Sequence, residues 1–171
     1  MLYFGLIKDE YYLFNELERK RKTVRAIVIN DKKEIGLIHI KGKDLFGDRD
    51  HYECCGGGIK EKETPLEALN REVKEEIGYT IINPKLIGQI DIQYNLFNRI
   101  DEGIFYVCEI DKFVGTSLED YEKDLIKGIE WISLSTIDEF YQNFKVENVG
   151  KMIHERDYFM IKKAREFGYF D

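Results

Sequence analysis

Residues 56–79 of this chain, GGGIKEKETPLEALNREVKEEIGY, decide how the rest is read. Three glycines come first, followed by a helix signalled at both ends. Thr64 is a good N-cap, Pro65 falls on the first helical position, and Glu67 completes a T-x-x-E capping box. Gly78 supplies the left-handed residue that ends the helix. Between these signals, Leu66, Leu69, Val73 and Ile77 repeat as one apolar stripe. Glu72, Glu75 and Glu76 stand at i, i+3 and i+4, so their carboxylates share a different face.

Like charges at that spacing cost a helix roughly a few tenths of a kcal/mol per pair. Arg71 and Lys74 relieve part of this. A solvated acidic face is one reading, and the glycines favour another. A tight glycine turn ahead of the helix lets backbone carbonyls and amides approach a ligand closely. Carboxylates plus a backbone carbonyl are the oxygen ligands that a hard divalent cation such as Mg²⁺ takes.

Gly57, five residues, Glu63, seven residues, then Arg71-Glu72-Val73-Lys74-Glu75-Glu76-Ile77-Gly78-Tyr79 resembles the Nudix box, G-x5-E-x7-R-E-U-x-E-E-x-G-U, where U is a bulky aliphatic residue. Every specified position agrees except the last, where Tyr79 is aromatic. The resemblance implies an α+β fold, the Nudix-like α/β/α sandwich with a mixed β-sheet. It also implies Mg²⁺-dependent hydrolysis of a diphosphate (pyrophosphate) linkage, with Mn²⁺ as a possible substitute. The substrate it points to is a nucleoside triphosphate or related small nucleotide. Dinucleoside polyphosphates and nucleotide sugars are alternatives, as is a silent Nudix-like domain that binds a nucleotide as a sensor.

The whole chain is consistent with that expectation. Its 171 residues suit one domain, 1–171, with 1–22 as an N-terminal extension and 148–171 as a C-terminal helix. With 43% hydrophobic and 35% charged residues, the composition is that of a globular protein. A formal net charge of -7 argues against a broad footprint for a nucleic-acid polymer. No apolar run approaches the ~18 residues of a membrane span, and the opening MLYFGLIKDE lacks a signal-peptide pattern. Three cysteines, two of them adjacent, make no disulfide framework and point to the cytoplasm. The expected partner is a small phosphorylated metabolite, and the chain is expected as a monomer or homodimer.

Taken in order, Met1–Lys22 begins apolar and ends in a basic run. Its middle, DEYYLFNELERKRK, suits a short helix, and the first residues suit a strand equally well. Thr23–Asn30 and Glu34–Lys41 form a hairpin of β-branched strands, with His39 an ordinary strand residue. Gly42–Asp50 is a polar loop. Lys85–Tyr94 and Ile104–Ile110 are strands around a turn, and Asp111–Lys127 is a loop. A short strand at Gly128–Leu134 is followed by a helix capped by Ser135 and a last helix over Val149–Phe167.

By position in the box, the resemblance assigns Glu72, Glu75 and Glu76 as metal ligands, with the Gly56 carbonyl a further one. The resemblance leaves open the alternative that Glu72 or Glu75 acts as the base, and it has Arg71 orienting a glutamate. Glu63, Gly57 and Gly58 shape the substrate loop. Without metal, one proton of the cluster is expected to be held unusually tightly. A further acid is expected about six residues before Trp131, where Leu125 stands. Asp124 is the nearest stand-in, beside Glu119, Asp120 and Glu122, with Glu102 and Glu109 as weaker options. Cys54-Cys55 replaces the family's usual proline and is expected as a strand end with one thiol buried, while Cys108 is core. His51 is expected at the surface, and His154 has no evident partner. Pro84 lies too close to the box for an ADP-ribose hydrolase. Tyr52, Tyr94, Phe97 and Tyr106 are the aromatics available to stack on a base.

Overall fold

The β-branched run at Val24–Ile29 is buried on both faces and forms the middle of the sheet in the computed structural model, which describes residues 1–14, 16 and 19–171. In chain order the elements are β1 (Tyr3–Ile7), β2 (Arg19–Ile29), β3 (Glu34–Asp44), β4 (Gly47–Glu53), α1 (Pro65–Ile77), β5 (Tyr79–Tyr94), β6 (Arg99–Phe113), α2 (Asp120–Leu125), β7 (Ile126–Ser133), α3 (Ile137–Asn143) and α4 (Asn148–Glu166). A 3₁₀ turn, Asn95–Phe97, joins β5 to β6.

The sheet runs β1-β5-β6-β2-β3-β4, with β7 against the other edge of β3. β1 pairs with β5 in parallel, and β2 with β6 in parallel from Arg19↔Arg99 to Ile29↔Glu109. The other pairings are antiparallel. Alternation along β2 sends successive side chains to opposite layers. Val24, Ala26 and Val28 pack under α1 with Leu69 and Val73. Ile27 and Ile29 pack under α3 and α4 with Ile137, Met160 and Ile161. The result is the expected α/β/α sandwich around a mixed sheet.

One irregularity creates the site. β2 and β3 pair at just Val28↔Gly36 and Ile29↔Ile35, then diverge. The segment leading into the glycines fills the gap as a substitute strand. Ala26 N donates to Cys55 O at 2.8 Å, Val24 N to Gly57 O at 2.9 Å, and Ile59 N to Lys22 O at 3.0 Å. Gly56 cannot be anything else: a Cβ there would stand 2.1 Å from the Val24 carbonyl oxygen, and its φ is +142°.

Several boundaries differ from expectation. Residues 3–7 form a strand, one of the two readings open to them, while the basic run Arg19–Lys22 is the start of β2 rather than the end of a helix. The remainder of the proposed N-terminal helix falls in part on residues 15, 17 and 18, outside the described residues. Gly42–Asp50 is mostly hairpin, because β3 and β4 are joined by charge pairs instead of apolar alternation: Lys41–Asp50 at 3.0 Å and His39–Asp50 at 2.7 Å. The Asp111–Lys127 loop contains the end of β6 and the short helix α2, which buries no residue. Helix α3 is entered at Thr136, while the Ser135 hydroxyl bonds Ser133 Oγ at 2.9 Å. Among the described residues no helix is long and apolar enough to cross a membrane.

Candidate functional site

Helix α1 forms as its local signals dictate. Glu67 N donates to Thr64 Oγ1 at 3.3 Å, and Thr64 N donates back to Glu67 Oε2 at 2.8 Å. Gly78, at φ +77°, closes the last turn through its N–H to Lys74 O. Ala68, Leu69, Val73 and Ile77 are buried, whereas Leu66 is 43% exposed, so the stripe begins one turn later than its spacing suggests.

Arg71 is the hub of the acidic face. Its Nε and Nη2 donate to both oxygens of Glu63 at 2.7 and 2.9 Å. Nη1 donates to Glu72 Oε1 at 2.7 Å and to Glu75 Oε2 at 3.0 Å, and Nη2 also donates to Gly58 O at 2.9 Å. One guanidinium thus ties the loop before the helix to two carboxylates on it. The Arg71 hydrogen bonds hold the Glu63 carboxyl down at about 2. Burial raises Glu72 despite Arg71, and burial raises Glu76 to about 8 against the donors Cys55 and the Gly56 amide and the charge of Arg25. Two acids of the cluster, Glu72 and Glu76, are thus shifted upward, chiefly by burial and not by repulsion among the three carboxylates.

The glycines fit closely around these acids. Gly56 N donates to Glu76 Oε2 at 2.8 Å, and Gly56 O accepts from Arg25 Nη1 at 2.6 Å. A Cβ on Gly57 would stand 2.6 Å from Glu72 Oε1, and one on Gly58 would stand 2.6 Å from Arg21 Nη2. Glu72, Glu75, Glu76 and the three glycines line one cleft of about 770 Å³.

Glu119, which caps α2, and Glu122 and Asp124 within it reach the same cleft. Leu125 lies where an acid is expected, and its side chain fills the space above Gly42. Asp120 faces away and pairs with Lys123 at 2.8 Å. Glu102 pairs with Lys20 and Glu109 bonds Asn83, both outside the cleft.

Of the aromatics, Tyr94 and Phe97 line the cleft. Tyr52 stacks on His39 and meets Phe140 edge to face, and Tyr106 sits in the core under α1. His51 is 1% exposed, not at the surface. It sits on the inner face of β4, where Nε2 lies 3.1 Å from Glu53 Oε2. His154 finds the Tyr141 carbonyl oxygen at 2.8 Å. Both Cys54 and Cys55 are buried, and neighbours on a strand must face opposite layers. Cys54 accordingly joins the α4-side core and Cys55 the α1-side core.

Sequence reasoning missed the wall opposite α1. Arg21 and Arg25 from β2, Arg49 and Glu53 from β4, Arg99 and Asp101 from β6, and Phe46 from the β3–β4 turn all line it. The one available signal was Arg19, Arg21 and Arg25 at strand spacing on one face of β2. Behind this wall, Asp157 of α4 is fully buried. It accepts from Cys54 N and from Arg156 Nε, each at 2.7 Å.

The family model described as NUDIX domain matches residues 19–152. The chain belongs to the NUDIX family. It is 27% identical over 126 residues to an 8-oxo-dGTP diphosphatase of Haemophilus influenzae, covering 71% of this chain and 83% of the relative. It is 26% identical over 153 residues to an RNA pyrophosphohydrolase of Bartonella bacilliformis, covering 79% and 90%. These relatives are named as enzymes acting on pyrophosphate bonds. The solved structure of a NUDIX hydrolase from Nitrosomonas europaea superposes with a TM-score of 0.64 at 16% identity, covering 85% of this chain and 88% of that one.

Proposed function

We propose that the protein, as a single Nudix domain, hydrolyses a pyrophosphate linkage in a nucleoside diphosphate-linked compound, with a nucleoside triphosphate the leading candidate. The observation that carries this reading is the convergence of Glu72, Glu75, Glu76 and the glycine segment on one cleft. One relative is named an 8-oxo-dGTP diphosphatase and the other an RNA pyrophosphohydrolase, and both names support a nucleotide-containing substrate. The three unpaired buried thiols suit a reducing, cytoplasmic setting.

Among the described residues no three acidic, Cys or His side chains yet close around an ion. Arg71 spans Glu72 and Glu75, and Glu76 is turned to the Gly56 amide. The donor chemistry fits Mg²⁺, or Mn²⁺ in its place: carboxylate oxygens on successive turns of a helix, beside a glycine carbonyl with a lone pair to spare. Glu72, Glu75, Glu76 and the Gly56 carbonyl would hold it. A divalent cation held there supplies charge neutralisation for the diphosphate and acidifies the attacking water.

The chain's own groups do the rest. Glu72 or Glu75 takes the proton of the attacking water, with Asp124 of α2 as the alternative base. Arg71, fixed by Glu63, keeps two of the carboxylates oriented. Gly57 and Gly58 leave room for phosphate oxygens against the loop. The test is a Mg²⁺-dependent phosphate-release screen over nucleoside triphosphates, dinucleoside polyphosphates and nucleotide sugars, with Glu75→Gln and Glu76→Gln beside wild type. Turnover by wild type with loss of at least a hundredfold in both variants is expected. Full turnover by both variants sinks the metal-site assignment, and no turnover by wild type sinks the hydrolase reading in favour of a nucleotide-binding domain.

A further inference from the structure

The two ends of the cleft differ in chemistry. At the end away from α1, each guanidinium already faces a carboxylate. Arg49 Nη1 lies 2.6 Å from Asp44 Oδ2 and Arg99 Nε lies 2.5 Å from Asp101 Oδ1, while Arg25, whose Nη1 donates to Gly56 O at the glycine end, lies 3.8 Å from Glu53 Oε1. Two of these guanidiniums lie over rings: Arg49 is 5.3 Å from the Phe46 centroid, and Arg99 is 5.2 Å from that of Phe97. The two rings meet edge to face at 4.8 Å, with Tyr94 5.8 Å from Phe46 behind them. Val149 and Ile153 of α4 close this end.

A phosphate entering there would have to displace a carboxylate from each arginine and remain beside it, like charge against like. A neutral planar heterocycle meets no such opposition. Its faces suit Phe46 and Phe97, and its edge atoms suit the donors and acceptors of the Arg–Asp pairs. The glycine end also carries carboxylates, but Glu72, Glu75 and Glu76 are the ones assigned above to a divalent cation, and two cationic side chains stand beside them. Arg21 and Lys60 line the cleft with no carboxylate in ion-pair contact among the described residues. Arg21 sits against Gly58, where any side chain would push it away, and stands in register beside Asp101 of β6, at the joint between the two ends.

We propose that the end walled by Phe46, Phe97, Arg49 and Arg99 is a nucleobase subsite that sets specificity, and that Arg21 receives the phosphate chain at its junction with the glycine loop. This rests on the nucleotide hydrolase reading and gives the substrate a direction: base toward α4, phosphates toward α1. Neither end requires a polymer.

The experiment measures what the base alone contributes. Binding of adenosine, guanosine, cytidine and uridine 5′-monophosphates is compared with ribose 5-phosphate by titration calorimetry, on the full chain with Mg²⁺ present. None of these ligands contains a pyrophosphate bond. Stacking on an aromatic ring strengthens binding by roughly tenfold per base. At least one nucleotide should therefore bind wild type about tenfold tighter than ribose 5-phosphate. Phe97→Leu and Phe46→Leu, which keep an apolar side chain and remove the π-face, should bring that ratio down toward one. Arg21→Gln should weaken nucleotide and ribose 5-phosphate alike. Should a leucine variant fail to fold, Arg99→Gln, which leaves the ring in place, is read instead. A wild-type ratio near one, or a ratio untouched in the folded variants, overturns the proposal. That result, with turnover in the phosphate-release screen, leaves the hydrolase reading intact. Discriminating binding without any turnover does the reverse.

Discussion

Arg71 is the residue on which the acidic face depends. Five hydrogen bonds leave one guanidinium, to Glu63, Glu72, Glu75 and the Gly58 carbonyl. A lysine has the charge but not the fork, so it cannot hold Glu63 bidentately and reach the helix as well. Arg71→Lys should lower stability by about 1–3 kcal/mol, the usual worth of charge-assisted hydrogen bonds, and reduce kcat at least tenfold. Urea unfolding and steady-state kinetics on the same preparation check both. Gly57 presents the complementary case. Gly57→Ala drives a methyl into the Glu72 carboxylate, so activity should fall by more than stability does. A variant that keeps wild-type kcat would show that Glu72 is free to move aside without consequence.

At the scale of elements, α1 was legible because its information is local: cap, proline, apolar stripe and glycine stop lie within a few residues of what they control. The exception is instructive. Leu66 sits in the apolar spacing but in the first turn, where it stays exposed, and Ala68 is buried in its place. Leu69→Ala should cost about 2–5 kcal/mol, and Leu66→Ala within about 0.5 kcal/mol of nothing, measured by chemical unfolding. The β3–β4 hairpin was illegible because its cross-strand partners are charged, and α2 because a six-residue helix with no buried face leaves no periodicity to read. The opposite faces of Cys54 and Cys55 carry a prediction too. Burial pushes both thiols well above their ordinary value and Cys108 up to about 12. A chromogenic disulfide reagent at pH 8 should find no reactive thiol in the native protein and all three cysteines in urea.

For the whole molecule, the question is how separated strands come to share a charge network. The box wall of the cleft was readable from one stretch of chain. The opposite wall was not, because Arg25, Glu53 and Asp101 come from three strands joined by long-range pairing, with no spacing to betray them. Glu53 reports on that assembly. Burial alone would raise its carboxyl, but the His51 hydrogen bond and the charges of Arg25 and Arg156 hold it well below the usual range. A depressed folded value means the unfolded chain takes up the proton first as pH falls. The stabilisation is therefore complete above the unfolded value of about 4.3 and is lost progressively below it. Glu53→Gln should destabilise the protein at pH 7 yet make stability flatter between pH 5 and pH 3. Urea midpoints across that range test it, and parallel curves for variant and wild type would remove Glu53 from the account.

The glycine segment occupies the position of a strand between β2 and β3, and that has a consequence for exchange with solvent. The amides of Val24 and Ala26 lie in fully buried residues at the centre of the sheet, yet their hydrogen-bond acceptors belong to Gly57 and Cys55. Each opening of the loop that frames the cleft must release these amides to deuterium, while Val28 and Ile29, paired to β3 and β6, stay closed. Two core amides thus act as a clock for the loop: their exchange should slow when a ligand settles on the glycines, and run ahead of their neighbours on β2 when it leaves.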